Sequence, residues 1–302
     1  MIRTEASGKL AKKSLGRTLR ENRVAQGLFL IAPANIYLVL LIVLPLLLVA
    51  GLSFLSRGEY GQVVYKFNPE NYARLFDPIY GTIMLFSLGV GVGTTVLCLL
   101  LGYPVAYYLA RASTRTRSLL LFLILLPFWT NFIIRIYAWM MILRSGGFLD
   151  SIVMALHISK TSLNLLYTPT AVMIGMVYEF LPFMVLPLYT SLEKVENSLL
   201  EAAADLGAPP WKAFLRVTLP LSVPGMIAGT ILTFIPAMGM FVVSNLLGGA
   251  KTILIGNVIQ NQFLTARDWP FGAAASMILM LLTMVFTLYY SRKAGFGEEL
   301  LV

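Results

Sequence analysis

SLEKVENSLLEAAADLGAPPWKAFLRVTLP, residues 191–220, is the stretch on which the reading of this chain turns. Ser198 to Leu206 are good helix formers, and Gly207 supplies a C-terminal stop. Pro209 and Pro210 forbid continuation. A second short helix, Trp211 to Thr218, begins near them because proline is tolerated in a first turn. The expected structure is a helix, a turn and a helix. Ala202, Ala203 and Ala204 give a flat, close-approach surface, with Glu201 and Asp205, one turn apart, as an acidic rim. Such a surface suits docking against another protein better than it suits catalysis.

Both flanks of this stretch are apolar, and so is most of the chain. Of 302 residues, 58 % are hydrophobic and 12 % charged, and the mean hydropathy is +0.80. A soluble domain carries about 25 % charged residues, so this chain cannot cover a water-facing surface. An integral membrane protein is expected, which excludes a soluble enzyme, a secreted disulfide scaffold and a disordered regulator. One cysteine, Cys98, excludes an internal disulfide, and one histidine, His157, excludes a His-cluster metal site.

A membrane helix needs about 20 mostly apolar residues. Six stretches qualify: 28–55, 81–110, 118–143, 169–190, 220–247 and 271–291. The alternation of an outer-membrane barrel is absent. The net charge is +9. In a soluble protein that points to nucleic acid; here it is the positive-inside bias. Seven bases precede the first stretch, from Arg3 to Arg23. With Arg111, Arg115, Arg117, Lys194, Lys212, Arg216, Arg292 and Lys293, fifteen fall on one side. Seven fall on the other: Arg57, Lys66, Arg74, Arg144, Lys160, Lys251 and Arg267. The expected topology is all-α, with six transmembrane helices and both termini cytoplasmic. The basic tail before the first stretch is read as preceding an uncleaved span.

The 191–220 loop resembles the EAA motif of binding-protein-dependent ABC importer permeases. That motif runs E-A-A, three residues, G, nine residues, I, one residue, L-P. Here it is Glu201, Ala202, Ala203, Gly207, Val217, Leu219 and Pro220, with valine for isoleucine. The resemblance implies the type I ABC importer permease fold. It divides the chain into a tail 1–27, a permease domain 28–291 containing the loop 191–219, and a tail 292–302. It implies that Glu201, Ala202, Ala203, Asp205 and Gly207 form the helix that docks on an ATPase subunit. The implied partners are an ATPase homodimer, a second homologous permease, an extracytoplasmic binding protein and the lipid bilayer, with no nucleic acid. The chain then binds no cofactor or metal itself, ATP and Mg residing on the partner. GGAKT at 248–252 agrees: it lacks the glycine directly before Lys251 that a P-loop needs.

Further stretches resemble one branch, the first permease subunit of spermidine/putrescine importers. They are PFWTNFIIRIYAW (127–139), LPFMVLPLYTSLEKVE (181–196) and PAMGMFVVSNLLGGAKTILIGNVIQNQFLTARDWPFGAA (236–274). A polyamine is therefore the expected substrate. Related branches move opines, aminoalkylphosphonates or other amines. A secondary transporter is the rival class, but it calls for paired midplane carboxylates and inverted repeats.

A polyamine pathway needs acceptors for ammonium groups and aromatic faces for cations and methylenes. Only Arg135 and Glu179 are charged within the spans, and intramembrane charges are costly and functional by default. Glu179 lies near the midplane, flanked by Tyr178 and Phe180, and is read either as an ammonium acceptor or as a structural residue. Pro182 and Pro187 free the carbonyls of Tyr178 and Phe183. On straight helices Arg135 sits on the order of 10 Å above Glu179, so a direct ion pair would need Arg135 to reach down and is not assumed. Arg135 is read as structural or as a gate contact. Trp129, Asn131, Tyr137, Asn245 and Asp268 complete the candidate pathway. Asp268 is placed on the outer surface, where it meets the substrate or the binding protein, or forms a turn with Arg267. Gly89 and Gly93 read as a helix-packing face.

Overall fold

The computed structural model describes residues 23–157 and 161–293. The tails expected over 1–27 and 292–302 lie largely outside that range. The first helix, α1, already begins at Arg23 and runs to Ser53, and the last runs from Trp269 to Lys293. Between them come a two-residue β pair, Ser56–Arg57 against Val63–Val64, and α2, Glu70–Arg74. Among the described residues this β pair is the only strand pairing, in a chain that is otherwise helical as expected. Then follow α3 (Pro78–Arg111), α4 (Thr114–Leu125), α5 (Phe132–Leu143), α6 (Phe148–Ala155) and α7 (Pro169–Glu193). The 191–220 region holds α8 (Asn197–Asp205), α9 (Pro210–Ala213), a π turn Phe214–Thr218 and α10 (Leu219–Leu221). Helices α11 (Val223–Gly239), α12 (Ile255–Leu264) and α13 (Trp269–Lys293) close the chain.

Five helical units among the described residues are long and apolar enough to cross a membrane, six if a bent pair counts as one span. That pair is Pro210–Leu221 with Val223–Gly239, bent by 60°. Pro220 and Pro224 flank the bend at Ser222, each removing one backbone donor.

The third span departs from expectation. The stretch 118–143 is not one helix. A 3-10 turn, Leu126–Trp129, follows α4, and α5 restarts after Asn131. Pro127 at the start of that turn cannot donate to the helix before it. The Asn131 side chain then accepts from the Ile133 N–H at 2.8 Å and caps α5. The unit long enough to cross here is Phe132–Ala155, not 118–143.

The core is built from α3, α7 and α11. Helix α3 runs parallel to α7, and α11 antiparallel to it. Buried Cys98, Ala106, Leu109, Met176, Met184, Leu188, Phe234 and Met238 fill the space between them. Without a hydrophobic drive between helices in lipid, close approach depends on small residues. A Cβ on Gly225 would lie 2.6 Å from the Pro187 carbonyl oxygen and 3.0 Å from Leu188 Cα. The Gly89/Gly93 expectation holds at one of its two residues. A Cβ on Gly93 would lie 3.0 Å from Met173 of α7, whereas Gly89 meets open space, and buried Gly91 abuts Met238 and Phe234. Helix α1 exposes its apolar residues from Ile36 to Leu48, as lipid contact requires.

Candidate functional site

At one end of the bundle, α8 carries Glu201, Ala202, Ala203 and Asp205, of which all but the half-buried Ala203 are exposed. Gly207 ends the helix with φ +76°. Its N–H reaches Ala204 O at 2.8 Å, and the Ala208 N–H reaches Ala203 O at 3.0 Å. This left-handed C-terminal cap is one that glycine adopts without penalty. Leu206 is 88 % exposed and Trp211 61 % exposed. The capped helix presents an apolar tip at Leu206 and an acidic rim at Glu201 and Asp205 on the exposed side of the loop.

The loop is tied to the bundle by residues that the sequence pattern does not single out. Phe214 packs edge-on against Tyr103 and Tyr107 of α3, with centroids 5.6 and 5.8 Å away. The Tyr103 hydroxyl pairs with Ser222 Oγ at 2.9 Å, at the bend before α11. The Arg111 guanidinium covers the Tyr107 ring at 3.6 Å. The only signal available in sequence is the i, i+4 spacing of the two tyrosines, which says that they share a face but not what lies against it.

Within the bundle, Arg135 and Glu179 form an ion pair: Nη2 donates to Oε1 at 2.8 Å, and both side chains are 9 % exposed. The straight-helix expectation of about 10 Å fails because the third span breaks at 126–131 and α5 is displaced. Arg135 Nη1 also donates to Pro127 O at 3.0 Å, across the break. Phe128 faces the guanidinium at 4.9 Å and meets Phe183 of α7 edge-on at 5.5 Å. Glu179 therefore points at Arg135 rather than at an open surface. Tyr178, beside it, packs edge-on against Trp139 at 5.4 Å. Trp129 is 76 % exposed, and Asn131 and Tyr137 are exposed on the same broken segment.

At the far end, Asn245 joins an amide network. It donates to Gln260 Oε1 at 2.8 Å and accepts from Asn257 Nδ2 at 2.6 Å. A cavity of about 640 Å³ lies here, bordered by Tyr80, Thr252, Asn261 and Gln262 as well. Its polar lining is uncharged. Asp268 is not on the outer surface and does not pair with Arg267. It is buried, accepts from Arg74 Nη1 at 3.0 Å and caps α13 through the Phe271 N–H. A third buried carboxylate, Asp150, carries no signal in the sequence. It accepts from the Gly146 and Leu163 N–H groups and from Ser162 Oγ, closing the loop between α5 and α7. Among the described residues no group of His, Cys, Asp and Glu could hold a metal ion.

A profile of the family described as "Binding-protein-dependent transport system inner membrane component" matches residues 98–293, which include core helices α7 and α11, the C-terminal part of α3 and the whole 191–220 loop. The chain belongs to that family. The spermidine/putrescine transport system permease protein PotB of Escherichia coli (strain K12) is 49 % identical over 258 residues, covering 85 % of this chain and 94 % of that protein. The protein of the same description from Haemophilus influenzae is 46 % identical over 84 % of this chain and 89 % of its own length. The fold is that of a chain in the crystal structure of a bacterial alginate ABC transporter in complex with alginate pentasaccharide-bound periplasmic protein. The TM-score is 0.74 at 14 % identity, over 92 % of this chain and 96 % of that one. This member of the binding-protein-dependent family is thus a multi-pass inner-membrane permease with the type I ABC importer fold.

Proposed function

We propose that this chain is one of two permease subunits of an ATP-driven importer that moves polyamines into the cytoplasm. The observation that carries the reading is α8: a capped, exposed helix joined through Phe214 to the core of a chain 49 % identical to spermidine/putrescine permeases. A second, homologous permease forms the other half of the pathway. A pair of ATPase subunits, holding ATP and Mg, docks on the two α8 helices, and both termini face that side. An extracytoplasmic binding protein delivers substrate to the opposite end. This chain contributes no hydrolytic chemistry of its own.

In this reading Glu201, Ala202, Ala203, Asp205 and Gly207 receive the movement of the ATPases. Phe214 and Ser222 pass it to α3 and α11. The aromatic and amide side chains displayed by the broken third span, Trp129, Asn131 and Tyr137, face the substrate, where ring faces attract ammonium groups and cover methylenes. Tyr178 and Glu179 back that segment. The amide cavity around Asn245 offers neutral carbonyl acceptors, which bind a cation without retaining it. Arg135, a fixed cation, is kept from the path by Glu179.

The test is radiolabelled uptake in proteoliposomes holding this chain with its ATPase, second permease and binding protein. Spermidine, putrescine and an aminoalkylphosphonate are compared with and without ATP. ATP-dependent uptake of a polyamine supports the reading. Uptake of the phosphonate alone keeps the transporter class and overturns the substrate.

A further inference from the structure

We infer that Arg135 and Glu179 are positioning residues that staple the 126–131 break to α7 and so hold Trp129 at the substrate path. The inference rests on the transport reading above, and it replaces direct substrate contact by Glu179 with an indirect role.

The argument starts from the break itself. Three donors converge on the Pro127 carbonyl: the Thr130 N–H at 3.1 Å, Thr130 Oγ1 at 2.7 Å and Arg135 Nη1 at 3.0 Å. A backbone carbonyl inside a membrane must be satisfied internally, and a broken helix leaves several that are not. Arg135 reaches back eight residues to one of them with one nitrogen and across to Glu179 with another. A planar guanidinium holds two acceptors in a fixed mutual geometry, which an ammonium does not. Phe128, within the turn, is clasped between the guanidinium and Phe183 of α7. The next residue, Trp129, is turned outward and rests edge-on against Phe122 of α4 at 5.5 Å.

The pair is also poorly suited to simple stabilisation. Arg135 Nε and Glu179 Oε2 are buried without a partner among the described residues. A buried ion pair is commonly matched or bettered by apolar residues of the same volume, and a half-satisfied one more so. What apolar residues cannot supply is direction. The charges fix where the turn sits relative to α7, and with it the place of the Trp129 ring.

The experiment uses the intact complex and reads two quantities. Hydrogen–deuterium exchange is followed in the peptide covering 126–134, and uptake kinetics are measured for spermidine. Arg135→Met and Glu179→Gln are each expected to speed exchange in that peptide at least several-fold. They should raise KM about tenfold with the maximal rate within a factor of two. Glu179→Asp, which keeps the carboxylate, should recover most of both. Loss of uptake in Glu179→Gln with unchanged exchange would overturn the staple and return Glu179 to direct substrate contact. Unchanged exchange in both variants would overturn it as well. If Arg135→Met does not accumulate, Glu179→Gln and Glu179→Asp decide alone. If the unsubstituted complex takes up no polyamine, the transport reading falls, and the exchange measurement still decides whether the staple exists.

Discussion

The ring of Phe214 stands edge-on to the ring of Tyr103, with centroids 5.6 Å apart and planes at 86°. This contact joins the 191–220 loop to α3, and the Tyr103 hydroxyl continues it to Ser222 at the bend before α11. Edge-to-face aromatic pairs contribute about 0.5–1.5 kcal/mol beyond the area they bury. Phe214 makes two of them. Phe214→Ala is therefore expected to loosen the loop without removing the docking surface. In reconstituted complexes, ATP hydrolysis should persist while uptake per ATP falls several-fold. Phe214→Leu should recover little, because it restores area but not ring geometry. Unchanged uptake per ATP in Phe214→Ala would show that movement does not pass through this contact.

Gly207 is the second test. A left-handed residue costs an L side chain about 1–2 kcal/mol, and Gly207 sits at φ +76° with open space around it. Strain rather than collision decides the outcome. Gly207→Val should unwind the end of α8 and abolish ATPase docking, measured by co-purification. Gly207→Asn should be tolerated far better, since asparagine visits that region. Equal effects of the two variants would show that backbone conformation is not what matters there.

At the far end, Arg74 and Asp268 should respond unequally to substitution. Asp268's side chain is 3 % exposed and Arg74's 46 %. Arg74→Ala strands a buried carboxylate, which costs about 3–5 kcal/mol. Asp268→Asn leaves a half-exposed guanidinium that water can solvate, and its amide oxygen still caps α13. That change should cost about 1–2 kcal/mol. Thermal unfolding of the detergent-solubilised protein, followed by fluorescence, should place Arg74→Ala well below Asp268→Asn.

Gly225 tests the core. A methyl group there would press on the backbone of α7 at Pro187 and Leu188, not on a flexible side chain. Overpacking costs about 1–3 kcal/mol, and an immovable neighbour puts this site at the upper end. Gly225→Ala should lower the yield of folded protein in the membrane. Gly89→Ala, facing open space, should not.

Much of this was legible in the sequence because the signals are local. Apolar runs longer than about 20 residues mark spans wherever they occur. Gly207 followed by Pro209 and Pro210 ends α8 by backbone restriction alone. The third span was misjudged because Pro127 sits in an apolar run, and hydropathy does not register the loss of one donor. Of the Gly89/Gly93 face only Gly93 packs, against Met173, because spacing shows which residues share a face, not how far along it a neighbour reaches.

Composition and local backbone chemistry by themselves determined that this chain lives in a membrane, roughly where it crosses, and that a helix read over 198–206, one residue from its place in the structure, interrupts it before Gly207. Tertiary structure alone decided the partners. Arg135 reaches Glu179 because a helix break shifts one span against another. Asp268 finds Arg74, 194 residues away, because two short segments meet at one end of the bundle. Phe214 finds two tyrosines because α9 and the π turn fold back on α3. Charge pairing and ring contact depend on distances of a few ångström across the bundle, and no spacing along the chain encodes them.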